Sequence, residues 1–63
     1  MRVIGCKYDA NFSEAAVAIH KHTGKSLTAS RKMIDTILDG KSVELPDDFV
    51  LREDLEYANF LLA

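Results

Sequence analysis

The sequence predicts a small α+β domain in which three helices cover one face of a short sheet. Capping side chains precede three amphipathic segments, and a short β-rich segment stands before the first of them and another after the second. The predicted element order is therefore β-α-α-β-α. A chain of 63 residues has room for a single domain, which spans residues 1–63.

The composition favours a folded protein, with 48% hydrophobic and 29% charged residues. The single cysteine, Cys6, cannot form an internal disulfide, and no apolar run approaches the ~20 residues of a membrane span. We therefore expect a cytoplasmic protein that does not enter a membrane. Its charge is uneven, because residues 1–41 carry a balance of +3 and residues 42–63 a balance of −5. Such a basic front and acidic back can orient the molecule towards a charged partner.

The first strand is expected within residues 2–8, where alternation places Ile4 and Cys6 on the same face. Asn11 is placed to cap a first helix that begins near Phe12. The core-facing positions of this helix, spaced i, i+3, i+4 and i+7, are Phe12, Ala15, Ala16 and Ile19.

The second helix follows a Thr-Gly turn, and Ser26 is placed to cap it near Leu27. Its apolar face is expected to consist of Leu27, Ser30, Ile34 and Leu38, with Met33 and Ile37 to one side. Gly40 suits the left-handed conformation that commonly follows a helix end.

A second strand is predicted for residues 41–45, and either Asp47 or Asp48 can cap a third helix. The inner face of that helix is expected to consist of Leu51, Leu55, Ala58 and Leu62. No closing strand is predicted after it. Because two strands alone form only a marginal sheet, we expect a second copy of the chain or a partner to complete it.

Two aromatic residues are expected on the outer side of the last helix, beside acidic residues. These are Tyr57 and Phe60. Because aromatic residues are enriched at protein interfaces, we predict that this pair mediates self-association and that the protein is a homo-oligomer.

A basic surface is predicted around the turn between the first two helices. It is formed by His20, Lys21, Lys25, Arg31 and Lys32. A solvated rim and a binding surface are both consistent with this cluster. We include these five residues, together with Val17 and Thr28, in a predicted partner-binding site.

The order of elements, the Thr23-Gly24-x-x-Leu27 turn, the run to Met33-Ile34-Asp35 and the later Arg52-Glu53-Asp54-Leu55-Glu56 segment resemble one known domain. It is the C-terminal domain of the bacterial ribosomal stalk protein, and the resemblance covers roughly residues 12–62.

In that family the first helix and the start of the second recruit translational GTPases, the elongation factors among them. The resemblance implies that the corresponding surface here is formed by Ser13, Val17, His20, Leu27, Thr28 and Arg31. Of the family's basic positions there, only Arg31 is basic in this chain, and no counterpart of the family's final strand is predicted. A free-standing chain of this kind suggests a regulator or inhibitor encoded by a phage or mobile element.

The sequence does not predict an enzyme. His20 and His22 lie on different sides of a helix, where they cannot readily share a metal ion, and both are expected to be solvated. Gly24-Lys25-Ser26 lacks the earlier glycine and the preceding strand of a phosphate-binding loop. We therefore expect no catalytic residues, no metal site and no cofactor.

Two functions remain. The first is a protein-binding module, a stalk-domain-like regulator that docks on a host protein such as a translation factor. The second is a nucleic-acid-binding regulator in which the first two helices form a helix-turn-helix. In that alternative Thr28, Ala29 and Lys32 would enter a groove, although Asp35 would face phosphates.

Overall fold

The computed structural model describes all residues, 1–63, and has the element order β-α-α-β-α-β. Its elements are β1 (Arg2–Cys6), α1 (Phe12–Thr23), α2 (Leu27–Leu38), β2 (Val43–Glu44), α3 (Phe49–Tyr57) and β3 (Phe60–Leu62). The predicted α+β class is thus confirmed. None of the helices is both long enough and apolar enough to span a membrane.

All three helices begin where the capping side chains predict. The Asn11 side chain accepts a hydrogen bond from the Glu14 backbone N–H at 3.0 Å, and Ser26 Oγ accepts one from Ala29 at 3.1 Å. The carboxylate of Asp48 accepts from two first-turn N–H groups of α3. Each cap satisfies donors that would otherwise lack a partner at the helix start.

Each helix is followed by a residue in the left-handed conformation. Gly24 follows α1 with φ 76°, and Gly40 follows α2 with φ 86°, as predicted for Gly40. After α3 the same role falls to Asn59, with φ 67°, the only non-glycine residue with positive φ. Asparagine tolerates this region better than most residues, so Asn59 can stop α3 and turn the chain back.

The turn at Asn59 leads into β3, a strand that the sequence analysis did not predict. The sheet order is β2-β1-β3, with antiparallel pairing throughout, and Val3 lies opposite Val43 on one side and Leu62 on the other. The third strand therefore comes from the chain itself rather than from a second copy. Three residues are too few to show a recognisable alternation.

The side chain of Phe60 is buried, with 3% exposure, and packs edge-on against Phe12 at 6.2 Å between ring centroids. The prediction that Phe60 lies on an outer self-association surface is therefore wrong. That prediction continued the helix beyond residue 57, whereas Phe60 belongs to β3 and points into the core. Phe12 covers this ring and keeps 43% of its own surface exposed.

β1 contains an irregularity that separates Ile4 from Cys6. The register with β3 shifts between Val3 and Gly5, so that Val3 and Cys6 lie opposite Leu62 and Phe60. Ile4 is 49% exposed while Val3 is fully buried. The predicted shared face of Ile4 and Cys6 is therefore wrong, because a bulge reverses the alternation partway along the strand.

Small side chains let the helices pack closely. The buried residues of α1 are Ala15, Ala16, Ala18 and Ile19. In α2, Ser30 is fully buried and its hydroxyl donates to the Ser26 carbonyl at 2.9 Å, next to buried Ile34 and Ile37. Leu38 is 49% exposed instead of facing the core as predicted, because it lies at the last turn of α2.

The start of β1 is held by polar contacts. The amino group of Met1 donates to the Leu45 carbonyl at 2.6 Å and to the Asp47 carboxylate at 2.7 Å. The hydrogen bond from the Met1 amino group to Asp47, together with the positive charge of that group, holds the pKa of Asp47 below its ordinary value of 3.8. The contacts connect the central strand to the segment that leads into α3.

We predict that Asn59→Val lowers the free energy of unfolding by about 1–2 kcal/mol relative to Asn59→Gly, because a β-branched residue is strained at positive φ. Urea unfolding of the two variants measures the difference. Equal stabilities would show that the left-handed turn does not limit the fold.

We also predict that Phe60→Ala costs about 3–5 kcal/mol, because it leaves a cavity in the core. That is a large part of the roughly 3–9 kcal/mol expected for a domain of this size, so the variant should be substantially unfolded by circular dichroism. Leu61→Ala is the matched control, since Leu61 is the next residue and is 41% exposed. Similar losses in both variants would contradict the assignment of Phe60 to the core.

Asp47 should make stability depend on pH. Because its folded-state pKa is lowered, its contribution is fully present above 3.8 and is lost as the pH falls through the lower folded-state value. Asp47→Asn should therefore destabilise the protein at neutral pH and differ less from the parent in acid. Urea unfolding between neutral and acidic pH measures the gap in free energy of unfolding between the parent and the variant, with Asp9→Asn as the control. A gap that stays constant with pH would refute the interaction.

Candidate functional site

Helix α1 forms a ridge between α2 and α3. The exposed residues along it include Ser13, Glu14, Val17, His20 and Lys21. Ser13 lines a groove on each side of the ridge, one shared with α3 and one shared with α2. Several of the predicted partner-binding residues lie on this ridge or line a groove beside it. They are Val17, His20, Lys21 and Arg31.

The groove between α1 and α3 is the larger, with a volume of about 460 Å³. Val17 of α1 and Tyr57 of α3 line it and are 51% and 82% exposed. Ala18 is 6% exposed and lies at its base. Val17 and Tyr57 therefore flank the small side chain of Ala18, which leaves room for a side chain from another molecule to enter.

Charged groups also line the α1–α3 groove. They are Glu14, Lys21 and Asp54. Asp54 Oδ2 lies 3.0 Å from His22 Nε2, a contact that links the last turn of α1 to α3. The prediction that His22 is solvated is thus wrong, because its side chain is only 16% exposed.

The groove between α1 and α2 is smaller, at about 250 Å³. Phe12 from the start of α1 and Leu38 from the end of α2 line it together, as do Arg31 and Asp35. The start of α1 and the end of α2 therefore lie beside the same groove. At the other end of the helix pair, the Lys25 carbonyl lies 2.6 Å from His20 Nδ1.

All seven residues of the predicted partner-binding site are exposed. The structure divides them between two surfaces. Val17 and Lys21 line the α1–α3 groove. The α1–α2 face, as we call the other surface, consists of His20, Lys25, Thr28, Arg31 and Lys32.

The sequence analysis missed the part of the site that α3 contributes. It did not connect Asp54 or Tyr57 with Val17, because no local pattern shows which helices are neighbours. A partial signal was present in α1, where Glu14, Ala18 and Lys21 follow the spacing of one helix face.

The two histidines contact different elements, His20 the α1–α2 turn and His22 the helix α3. No group of three histidine, cysteine, aspartate or glutamate side chains is arranged to hold a metal ion. Both grooves beside α1 combine exposed apolar side chains with charged ones.

The chain matches no protein-family model, and no curated protein or solved structure is significantly similar to it.

Proposed function

We propose that this protein is a small protein-binding module that docks on a host protein through the outer side of the α1–α2 helix pair. In this proposal it acts in the cytoplasm as a non-enzymatic regulator or inhibitor, and a translational GTPase is the first candidate partner. The observation that carries the proposal is that Arg31 lines the α1–α2 groove together with Phe12 and Leu38, two apolar side chains that are 43% and 49% exposed. An apolar side chain beside cations is suited to contact with another protein.

The resemblance to the ribosomal stalk domain supports this choice of partner. The closing strand β3 removes one difference from that family, whose fold also ends in a strand. Of the positions carried over by the resemblance, Ser13, Val17, His20, Thr28 and Arg31 are exposed, and Leu27 is partly buried. The proposal also includes that a phage or mobile element encodes the protein.

The charges of the helix pair favour a protein over a nucleic acid as the partner. Asp35 lies next to Arg31 on the exposed side, where it would repel phosphates. The net charge of −2 points the same way.

Self-association stays a prediction, but with less to support it. The chain completes its own sheet, and of the two aromatic residues only Tyr57 remains on the surface, at 82% exposure. A homo-oligomer would therefore form through Tyr57 without Phe60.

The charge-reversal variant Arg31→Glu/Lys32→Glu tests the docking face. We expect binding to a purified bacterial elongation factor, measured by calorimetry, to weaken by roughly tenfold or more, because two attractive charges become repulsive. Lys7→Glu/Lys41→Glu is the matched control, since it makes the same charge change at exposed residues outside α1 and α2.

Equal losses in the two variants would mean that net charge, not the α1–α2 face, governs binding. A parent protein that binds no translational GTPase would remove that class of partner. Micromolar binding to random duplex DNA that falls steeply with salt would replace the proposal with the nucleic-acid alternative.

A further inference from the structure

The α1–α3 groove has features that the proposed docking through α1 and α2 does not use. Its apolar walls come from different helices, with Val17 on α1 and Tyr57 on α3. A side chain as exposed as Tyr57 gains little from the protein's own core. Its pairing with Val17 across a groove creates an apolar contact area that the folded chain leaves open.

The length of this groove suits a short helix. Along α1 it is lined from Ser13 to Lys21, which corresponds to about 12 Å, or just over two turns, at the rise of an α-helix. The small side chain of Ala18 at its base allows the close approach of another helix. Two neighbouring helices with such a base form the kind of groove into which a third helix packs its apolar ridge.

The charge around the groove defines what such a helix must carry. Two acids, Glu14 and Asp54, line it against one lysine, Lys21, and Asp54 also contacts His22. Glu53 and Glu56 lie exposed elsewhere on α3. The segment from residue 42 to residue 63, which includes all of α3, carries a balance of −5. A helix that docks here would be attracted by basic residues and repelled by acidic ones.

We propose that the α1–α3 groove binds a basic amphipathic helix of a partner protein. An apolar side chain of that helix inserts between Val17 and Tyr57, and its lysine or arginine residues face the acids of α1 and α3. This site goes beyond the docking face of α1 and α2 and can operate with or without it.

A second copy of this chain fits the groove less well. Its basic residues on the outer side of α2 are Arg31 and Lys32, and the neighbouring exposed positions are Thr28 and Asp35. The exposed apolar side chain of α2, Leu38, lies seven residues from Arg31 at the end of the helix and not between the two cations. The complementary features therefore favour a different protein.

The test uses two synthetic alanine-rich helical peptides of roughly 15 residues, a length at which such helices begin to form in water. Both carry two leucines spaced i, i+4, flanked by lysines in one peptide and by glutamates in the other. Each is titrated into the isotope-labelled protein and followed by amide NMR spectra. We expect saturable shifts centred on Val17, Ala18 and Tyr57 with the lysine peptide, and none with the glutamate peptide.

Matched variants then separate the groove from general attraction to an acidic protein. Tyr57→Ser should weaken binding of the lysine peptide by about fivefold or more, because it removes one apolar wall of the groove. Phe49→Ser is the control, since Phe49 is also an exposed aromatic residue of α3, at 74%, but lies outside the groove. The parent-like spectrum of each variant without peptide shows that the fold is intact.

The proposal is overturned if the lysine peptide shows no saturable binding, if both peptides bind equally, or if the shifts map away from the groove. Equal weakening by Tyr57→Ser and Phe49→Ser also overturns it. Groove shifts that depend on protein concentration without peptide would assign the site to a second copy. The Arg31/Lys32 variant should still bind the lysine peptide, so this test and that of the proposed function can fail separately.

Discussion

The return of the chain at Asn59 is the constraint on which the rest of the structure depends. Its left-handed conformation ends α3 and sends β3 back along β1, which becomes the central strand. Backbone bonds hold this return at two places: the Lys7 N–H donates to the Asn59 carbonyl, and the Asn11 N–H donates to the Ala58 carbonyl, both at 2.9 Å. The same turn therefore closes the sheet and fixes where α1 begins. It also delivers Phe60 to the core, where a thin interior most needs a large side chain.

This closure determines the surfaces that remain. With β3 in place the sheet has its third strand without a second copy, and α3 lies beside α1. The contact between His22 and Asp54 joins the two helices at one end of their groove. The neighbouring helix α2 brings the cations of the α1–α2 face to the other side of α1. Two surfaces of different charge thus share one ridge, and this arrangement suits a protein that works by contact.

Small residues make the arrangement possible. Ala15, Ala16 and Ala18 allow α1 to lie close to its neighbours, and the buried hydroxyl of Ser30 is satisfied within α2. Close packing compensates in part for a short chain with few large core residues.

The sequence by itself determined where the helices begin, because caps are local signals: Asn11 and Ser26 start the first two, and Asp48, one of two predicted candidates, starts the third. It also determined which cations and which valine would be exposed. Only the tertiary structure decided that Phe60 is buried, that a bulge separates Ile4 from Cys6, and that Tyr57 and Val17 line one groove. The reason is physical. A strand of three residues carries no readable period, and whether a side chain points inward or outward depends on a partner that is distant along the chain.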